Sequence, residues 1–237
     1  MSESPELGRV YREDAERYDR LVSREDHAGN LLPALRRIAP LEGRTIVDLG
    51  AGTGRLTRLL APPAGRIVGL DLSPAMLRVA RDRLARARGA PWALAVADHR
   101  ALPIAGASAD VVAAGWTVCY TVLWTGEAWR EHLDRALGEM ARIARPGGVQ
   151  IIIETLGTGR ETPEAPEPMR GYYGALEAAG FASTWVRTDY RFSSAAEAEE
   201  LIGFFFGPEL AARVAGEGML VVPECTGIWW RHSASAT

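Results

Sequence analysis

The sequence predicts an α/β fold built around a mostly parallel sheet, preceded by a helical region. Two observations support this prediction. Short apolar runs typical of strands alternate with runs typical of helices, and a glycine-rich turn joins the first predicted strand to the next helix. Strands separated by helical segments form parallel βαβ units. The chain has 237 residues, of which 47% are hydrophobic, and this is enough for one domain with a full core.

The predicted strands of the first part lie at 45–49, 66–71, 92–97, 110–115 and 148–153, with helices at 54–61, 74–88 and 127–144. The helix at 74–88 has the clearest start, because Ser73 suits the N-cap and Pro74 suits the first helical position. After residue 154 the pattern predicts a helix at 169–180 and strands at 184–192 and 226–232.

These elements predict two regions that form one compact unit. Residues 1–40 form an N-terminal helical cap, with helical pattern over 12–38, and residues 41–237 form the α/β domain. A helical insertion near 194–218 interrupts the second region. We expect it to pack back onto the sheet, and a lid or a dimer contact are the alternatives.

Composition excludes several classes of function. All 27 basic residues are arginine, so a Schiff-base lysine, a lysine general base and a lysine-dependent phosphate loop are absent. The net charge of −3 does not predict a nucleic-acid partner. Cys119 and Cys225 lack metal-ligand spacing and do not cluster with the four histidines, so we expect neither a metal site nor a disulfide.

The same features predict a cytoplasmic protein without a membrane partner. No run reaches the ~18 apolar residues of a membrane span, and the first residues lack the basic and apolar segments of a signal peptide. The two unpaired cysteines suit a reducing compartment. We expect a monomer or a homodimer.

The most informative segment is the run Asp48-Leu49-Gly50-Ala51-Gly52-Thr53-Gly54 between the first strand and the first helix. Glycine suits such a turn because it tolerates backbone angles that a Cβ forbids and lets a ligand approach the main chain. Asp71 ends the second predicted strand, where a carboxylate can accept hydrogen bonds from both hydroxyls of a ribose. The segment therefore predicts an adenosine-like ligand.

With three further features, this segment resembles class I S-adenosylmethionine-dependent methyltransferases. The features are Asp71, the Ala97-Asp98 pair after the third strand, and the stop Arg145-Pro146-Gly147-Gly148 before the fifth. The resemblance covers roughly residues 40 to 155. It implies a Rossmann-like seven-stranded sheet with an antiparallel last strand, helices on both faces, S-adenosyl-L-methionine as cofactor and S-adenosyl-L-homocysteine as product.

A nicotinamide-dependent oxidoreductase is the competing interpretation of the glycine run. Its fingerprint requires a glycine at position 55, which is arginine here. The position of Asp48 at the end of the strand also fits the methyltransferase pattern. Both observations favour S-adenosylmethionine over a nicotinamide cofactor.

We expect a cofactor-binding role for thirteen residues, twelve from the resemblance and Trp116 because an aromatic ring at this place can face the sulfonium by cation–π attraction. Asp48 would interact with the methionine amino group, Asp71 would hold the ribose hydroxyls, and Asp98 would accept from the adenine amino group. The remaining residues would pass under the methionine and ribose, flank the adenine, or cover the cofactor and its sulfonium; they are Gly50, Ala51, Gly52, Gly54, Leu72, Met76, His99, Trp116, Tyr18 and Tyr11. Alternatives stay open for four of these positions: core packing for Met76 and Trp116, a turn for Asp98 and an exposed turn without a role for His99.

Residues for the chemical step are harder to predict, because a sulfonium is already an activated methyl donor and a base is not always required. The aromatic segment 115–124 suggests Tyr120 beside the acceptor, although Trp116, Tyr120 and Trp124 also have the spacing of a buried helical stripe. Glu154, at the end of the fifth strand, would project into the crevice and bind an amine or take a proton. His27 is a candidate base at the pocket mouth or a solvated histidine.

The sequence predicts only the chemical class of the methyl acceptor. Motifs of nucleic-acid amino-methylating enzymes, pyrimidine carbon methyltransferases and protein arginine methyltransferases are absent. The prediction is therefore methyl transfer to an N or O atom of a small molecule, with specialised metabolism as the expected setting. The alternative is a protein of this fold that binds the cofactor but catalyses another reaction or serves as a binding module.

Overall fold

The computed structural model describes the backbone of residues 5–234 and the side chains of residues 8–234. Three helices come first, α1 (Pro5–Glu13), α2 (Ala15–Val22) and α3 (Leu31–Ile38). The alternating part follows, with β1 (Thr45–Leu49), α4 (Arg55–Leu60), β2 (Arg66–Asp71), α5 (Pro74–Leu84), β3 (Trp92–Val96), β4 (Ala109–Gly115), α6 (Tyr120–Thr125), α7 (Trp129–Ile143) and β5 (Ala144–Thr158). The last elements are α8 (Arg170–Ala178), β6 (Ala182–Arg187), β7 (Tyr190–Arg191), α9 (Ala195–Phe206), α10 (Pro208–Gly216), β8 (Val221–Val222) and β9 (Glu224–His232).

Seven strands form one sheet in the order β3-β2-β1-β4-β5-β9-β6. Strand β9 is antiparallel to both of its neighbours, and the other pairs are parallel. This confirms the predicted α/β fold with a mostly parallel sheet and an antiparallel last strand. The strand order reverses direction between β1 and β4, and ligands of such sheets bind outside the carboxyl ends of the strands at that reversal.

Helices cover both faces of the sheet, as predicted. On one face α7 and α8 pack against the strands, and on the other face α3 and α4 do so. The buried helical side chains include Leu133, Leu137, Met140 and Leu176 on the first face, and Leu31, Leu35, Leu56 and Leu60 on the second. Burial on both faces explains why the inner strands are continuously apolar.

Several element boundaries differ from the prediction for identifiable reasons. The predicted strand at 184–192 is two strands, because β6 pairs with β9 in the main sheet whereas Tyr190 and Arg191 pair with β8 in a separate two-stranded ribbon. The insertion is two helices, since Gly207 has a φ of 94° and Pro208 has no N–H to continue the first helix. The start of α5 agrees with the prediction: the Ser73 hydroxyl accepts from the Met76 N–H and Pro74 is the first helical residue.

The insertion does not pack against the main sheet, so that prediction is wrong. Helices α9 and α10 pack with the β7–β8 ribbon in a separate cluster, whose buried members include Tyr190, Phe192, Leu201, Val214 and Val222. Leu21 of α2 belongs to the same cluster. The insertion therefore supports the N-terminal helices, and the Phe205 ring lies 5.4 Å from the Tyr18 ring.

The N-terminal helices are also joined to the domain by polar contacts. The Ser73 hydroxyl donates to the Tyr11 carbonyl at 2.7 Å, and Arg83 forms an ion pair with the buried Asp19. The first four residues of the predicted 1–40 cap lie outside the described range. Between residues 5 and 234, no helix combines the length and hydropathy needed to cross a membrane.

Two glycine substitutions test the packing of the sheet. A Cβ on Gly227 of β9 would overlap the Trp229 ring and lie 2.9 Å from Leu156, whereas a Cβ on Gly138 of α7 would meet no atom within 4 Å. We expect Gly227→Ala to lower the free energy of unfolding by about 1–3 kcal/mol through overpacking. Gly138→Ala should raise it by about 0.5–1 kcal/mol, because alanine is the better helix former. Urea unfolding measures both, and equal effects of the two changes would contradict this description.

Candidate active site

A cavity of about 700 Å³ lies at the carboxyl ends of β1, β2 and β4, under the N-terminal helices. This volume is within the range of pockets that hold small molecules and cofactors. Its walls come from the glycine turn after β1, the ends of β2 and β4, the segment after β3, and helices α1, α2 and α6. Eleven of the thirteen predicted cofactor residues thus line one cavity at the reversal of the strand order, and Asp48 and Gly54 do not.

The glycine turn forms the floor of the cavity. Gly50, Gly52 and Gly54 have φ values of 66°, 54° and 83°, which residues with a Cβ rarely adopt. A Cβ on Gly50 would also overlap the Thr117 side chain. Gly50, Ala51 and Gly52 line the cavity, whereas Gly54 packs against Ala80 of α5 and is outside the lining.

Asp71 is held in place by main-chain donors. One carboxylate oxygen accepts from the Gly52 N–H at 2.8 Å, and the other accepts from the Ser73 N–H at 2.7 Å. Burial raises the pKa of Asp71, and these hydrogen bonds oppose that effect. The carboxylate faces the cavity and connects the glycine turn to the end of β2, in the place predicted for a ribose contact.

The predicted adenine contacts lie on the same side of the cavity. Leu72 is 64% exposed and Met76 is buried, and both line the wall. Asp98 also lines it, but Arg100 pairs with its carboxylate and lowers its pKa to about 2. The backbone N–H of Arg100 also donates to the Asp98 carboxylate. Asp98 therefore stabilises a turn, as its alternative interpretation predicts, and lines the cavity as well.

His99 lines the cavity and is half-buried, which differs from the exposed turn considered as an alternative. Its Nε2 atom is buried without a hydrogen-bond partner in the described part of the chain. Burial lowers the pKa of His99, so the imidazole is neutral at pH 7.

Aromatic side chains form the wall opposite the adenine contacts; they are Tyr11, Tyr18, Trp116, Tyr120 and Trp124. The Tyr120 and Trp124 rings stack at 4.4 Å, the Tyr11 and Tyr18 rings meet edge to face at 5.5 Å, and the Tyr11 and Tyr120 hydroxyls are hydrogen-bonded. Burial raises the pKa of Tyr11 and of Tyr120, so both phenols are neutral. The segment 115–124 therefore supplies cavity wall, although Trp116 precedes the helix that starts at Tyr120.

Trp116 adopts an unusual backbone conformation at the end of β4. Its φ of 50° is uncommon for a bulky residue, and its N–H donates to the Ile153 carbonyl at 2.7 Å. The Arg55 guanidinium lies 3.9 Å from the centroid of the Trp116 ring, and Arg55 pairs with the buried Glu25 at 2.6 Å. This stack closes one end of the cavity.

Two predicted catalytic residues lie away from the cavity. Glu154 is buried behind the wall, where its carboxylate accepts from the Cys119 N–H at 3.0 Å and from the Tyr172 hydroxyl at 3.1 Å. The prediction that it projects into the crevice is wrong, because the start of α6 covers it. His27 is exposed in the loop before α3 and is not part of the lining either.

Asp48 is also behind the cavity. It is fully buried, and one of its oxygens accepts from the Thr57 hydroxyl at 2.5 Å, while Oδ1 has no partner among the described residues. Burial raises the pKa of Asp48 to about 7. The glycine turn separates this carboxyl from the cavity lining, so a contact with a methionine amino group would require an intermediary such as water.

Several lining residues were missed by the sequence analysis; they are Arg12, Thr53, Arg55, Arg100, Thr117, Thr121, Thr125 and His132. In the sequence, Arg55 is informative only as the residue that breaks the dinucleotide fingerprint. Arg100 and His132 meet at 2.6 Å although they are 32 positions apart in the sequence. Local sequence carries no signal for such a contact. In the described residues no three His, Cys, Asp or Glu side chains are grouped to hold a metal ion.

Comparisons with known proteins agree with this geometry. Residues 47–152 match the family described as "Methyltransferase domain". A malonyl-[acyl-carrier protein] O-methyltransferase of Methylococcus capsulatus is 35% identical over 143 residues, covering 59% of this chain and 47% of that protein. The ubiquinone/menaquinone biosynthesis C-methyltransferase UbiE of Bordetella parapertussis is 32% identical over 156 residues, covering 60% of this chain and 57% of that protein.

Among solved structures, the [4+2]-cyclase SpnF superposes with a TM-score of 0.56 at 21% identity, covering 87% of this chain and 81% of that one. At this identity the likeness concerns the fold. The chain spans about half the length of the curated relatives it matches. The sheet order, the glycine turn with Asp71 at the strand ends, and the match over 47–152 together show that this chain is similar to class I S-adenosylmethionine-dependent methyltransferases.

Proposed function

We propose that this protein binds S-adenosyl-L-methionine and transfers its methyl group to a small-molecule acceptor, leaving S-adenosyl-L-homocysteine. One observation carries the proposal: a single cavity joins the glycine turn and Asp71 to an aromatic wall on α1, α2 and α6. The first part suits a nucleoside with an amino-acid tail, and the second has room and apolar surface for an acceptor.

The residues present fit this cofactor. The floor includes Gly50 and Gly52, which have no side chains and line the cavity, so a ligand can approach the backbone closely. The Asp71 carboxylate is already oriented by two N–H donors. Buried Thr53 Oγ1 and His99 Nε2 lack partners among the described residues and belong to residues of the cavity wall. Such atoms are usually satisfied by water or a ligand.

In the proposed reaction, one group of residues binds the cofactor and the aromatic wall positions the acceptor. Asp71 would hold the ribose hydroxyls, Leu72 and Met76 would flank the adenine, and the Gly50–Gly52 backbone would lie under the tail. The cofactor supplies a methyl group on a sulfonium, which is electrophilic without further activation. The aromatic wall would exclude water, attract the sulfonium to its ring faces and align the acceptor atom.

For the acceptor we keep the prediction of an N or O atom of a small molecule, with specialised metabolism as the proposed setting. The two relatives described above are named as an O- and a C-methyltransferase. Both match this chain over only part of their length, so their names do not identify its acceptor. Neutral phenols and indoles line the cavity around Tyr120, and the nearby carboxyl of Glu154 is buried behind them, outside the lining, which favours acceptors that need no strong base. A cytoplasmic location and a monomer or homodimer remain our predictions.

The first experiment tests the cofactor. We expect S-adenosylmethionine to raise the melting temperature of the protein, and Asp71→Ala to weaken binding by about 10-fold or more, because hydrogen bonds to a charged acceptor contribute about 1.5–3 kcal/mol. Asp82→Ala, an exposed change on α5, is the control and should keep full affinity. Absence of any shift in the unsubstituted protein with both S-adenosylmethionine and S-adenosylhomocysteine would refute the proposal.

The second experiment tests methyl transfer. Incubation with S-adenosylmethionine and a panel of small amines, phenols and carboxylic acids should give S-adenosylhomocysteine and a methylated product in equal amounts, measured by mass spectrometry. Heat-denatured protein is the control. Cofactor binding with no methylated product from any compound would favour the alternative, a protein of this fold that catalyses another reaction or serves as a binding module.

A third prediction concerns Glu154 as a buried structural carboxyl. Burial raises its pKa to about 7, above the ~4.3 of an unfolded glutamate, so the folded state binds more protons between these values. The contribution of Glu154 to the free energy of unfolding therefore falls as pH rises from about 4.3 to about 7. We expect Glu154→Gln to flatten this slope, because glutamine keeps an acceptor for Cys119 and Tyr172 but does not titrate.

Denaturant titrations at several pH values measure the slope. Glu177→Gln on the exposed side of α8 is the matched control and should leave the profile unchanged. A Glu154→Gln profile parallel to that of the unsubstituted protein would show that the carboxyl has an ordinary pKa.

A further inference from the structure

We propose that Arg55 binds the carboxylate of the cofactor's methionine moiety and so selects ligands that carry the amino-acid tail. This inference rests on the proposed function, because it assumes that the cavity holds S-adenosylmethionine. Neither the resemblance nor the family match assigns a binding role to this residue.

The position of Arg55 is the first observation. It is the first residue of α4 and directly follows the glycine turn, and its side chain lines the end of the cavity between Tyr18 and Trp116. The guanidinium lies 3.9 Å from the Trp116 ring centroid, and the side chain is only 20% exposed. The glycine turn is where the methionine tail would lie, so this cation is at the tail end of the cavity.

The hydrogen bonds of Arg55 are the second observation. Its Nη1 donates to Glu25 Oε2 at 2.6 Å, and the other Glu25 oxygen accepts from the Thr188 hydroxyl at 3.0 Å. Its Nη2 is buried and makes no hydrogen bond to any described residue. A guanidinium has five N–H donors and no way to neutralise itself, so an unused buried donor is costly. Arg55 is thus fixed on one side by Glu25 and retains donor capacity for an anion.

The other cations of the cavity wall are less suitable for this task. Arg100 is occupied by Asp98 and His132 on the side of the predicted adenine contacts. Arg12 is exposed on α1. Tyr18 lies beside Arg55 and Asp71 and offers a phenol to the same end of the cavity. A guanidinium with a neighbouring hydroxyl is a favourable carboxylate site, since hydrogen bonds between charged groups are the stronger kind.

A purely structural role is the competing explanation, because the ion pair with Glu25 also joins the N-terminal region to α4. The two roles differ in ligand dependence. A structural role affects every ligand of the cavity alike, whereas a carboxylate contact affects only ligands with the amino-acid tail. The comparison of S-adenosylhomocysteine with 5′-methylthioadenosine, which lacks the tail, separates them.

The experiment is isothermal titration of both ligands into the full chain and three variants. We expect Arg55→Gln to lower the affinity for S-adenosylhomocysteine by about 10- to 100-fold and to leave the affinity for 5′-methylthioadenosine unchanged. Arg55→Lys retains the charge and the pair with Glu25, and should recover part of the selectivity. Arg58→Gln, which is on the same helix but outside the cavity wall, is the matched control and should bind both ligands normally.

Each result has one interpretation. If Arg55→Gln lowers the affinities for both ligands equally, or lowers neither, the inference is overturned and the proposed function is unaffected. If Arg55→Gln does not fold, the same comparison is made with Arg55→Met, which can pack on Trp116 but cannot donate a hydrogen bond, and an unchanged ratio of the two affinities overturns the inference. Failure of the unsubstituted protein to bind S-adenosylhomocysteine refutes the proposed function itself.

Discussion

The close packing of the Gly50–Gly54 turn is the constraint on which the candidate site depends. At this point the chain leaves β1, passes beneath Thr117 from the loop after β4, and enters α4 against Ala80 of α5. Side chains at the glycine positions would fill this space or require unfavourable backbone angles. Because the turn lies where the strand order reverses, the same packing exposes main chain to a cavity.

Charged contacts then determine how that cavity is closed. The chain has no lysine, and its guanidinium groups join the N-terminal helices to the rest of the molecule. Arg83 pairs with Asp19, Arg24 pairs with Glu197 of α9, and Arg55 pairs with Glu25. The helical insertion belongs to this closure, because it packs against α2 rather than on the sheet. These contacts hold the N-terminal helices over the cavity, where Tyr11 and Tyr18 are part of the lining.

Burial separates the acidic residues into two groups with different chemistry. Asp71 faces the cavity with its carboxylate oriented by main-chain N–H groups. Asp48 and Glu154 are behind the walls, where burial raises the pKa of each to about 7. The wall near the proposed acceptor is instead formed by neutral phenols and indoles. This distribution suits a reaction that depends on alignment and exclusion of water more than on proton transfer.

The sequence by itself determined the α/β class, the parallel strands, the start of α5 and the cofactor end of the site. These are local properties: apolar periodicity, capping residues, and glycines at a turn that must approach a ligand. Only the tertiary structure decided which long-range neighbours meet. In the folded chain Arg55 stacks on Trp116 and pairs with Glu25. Glu154 is buried beneath the start of α6, and the insertion packs against α2. Such contacts depend on how distant elements pack, and side-chain direction at a strand end is not encoded in local spacing.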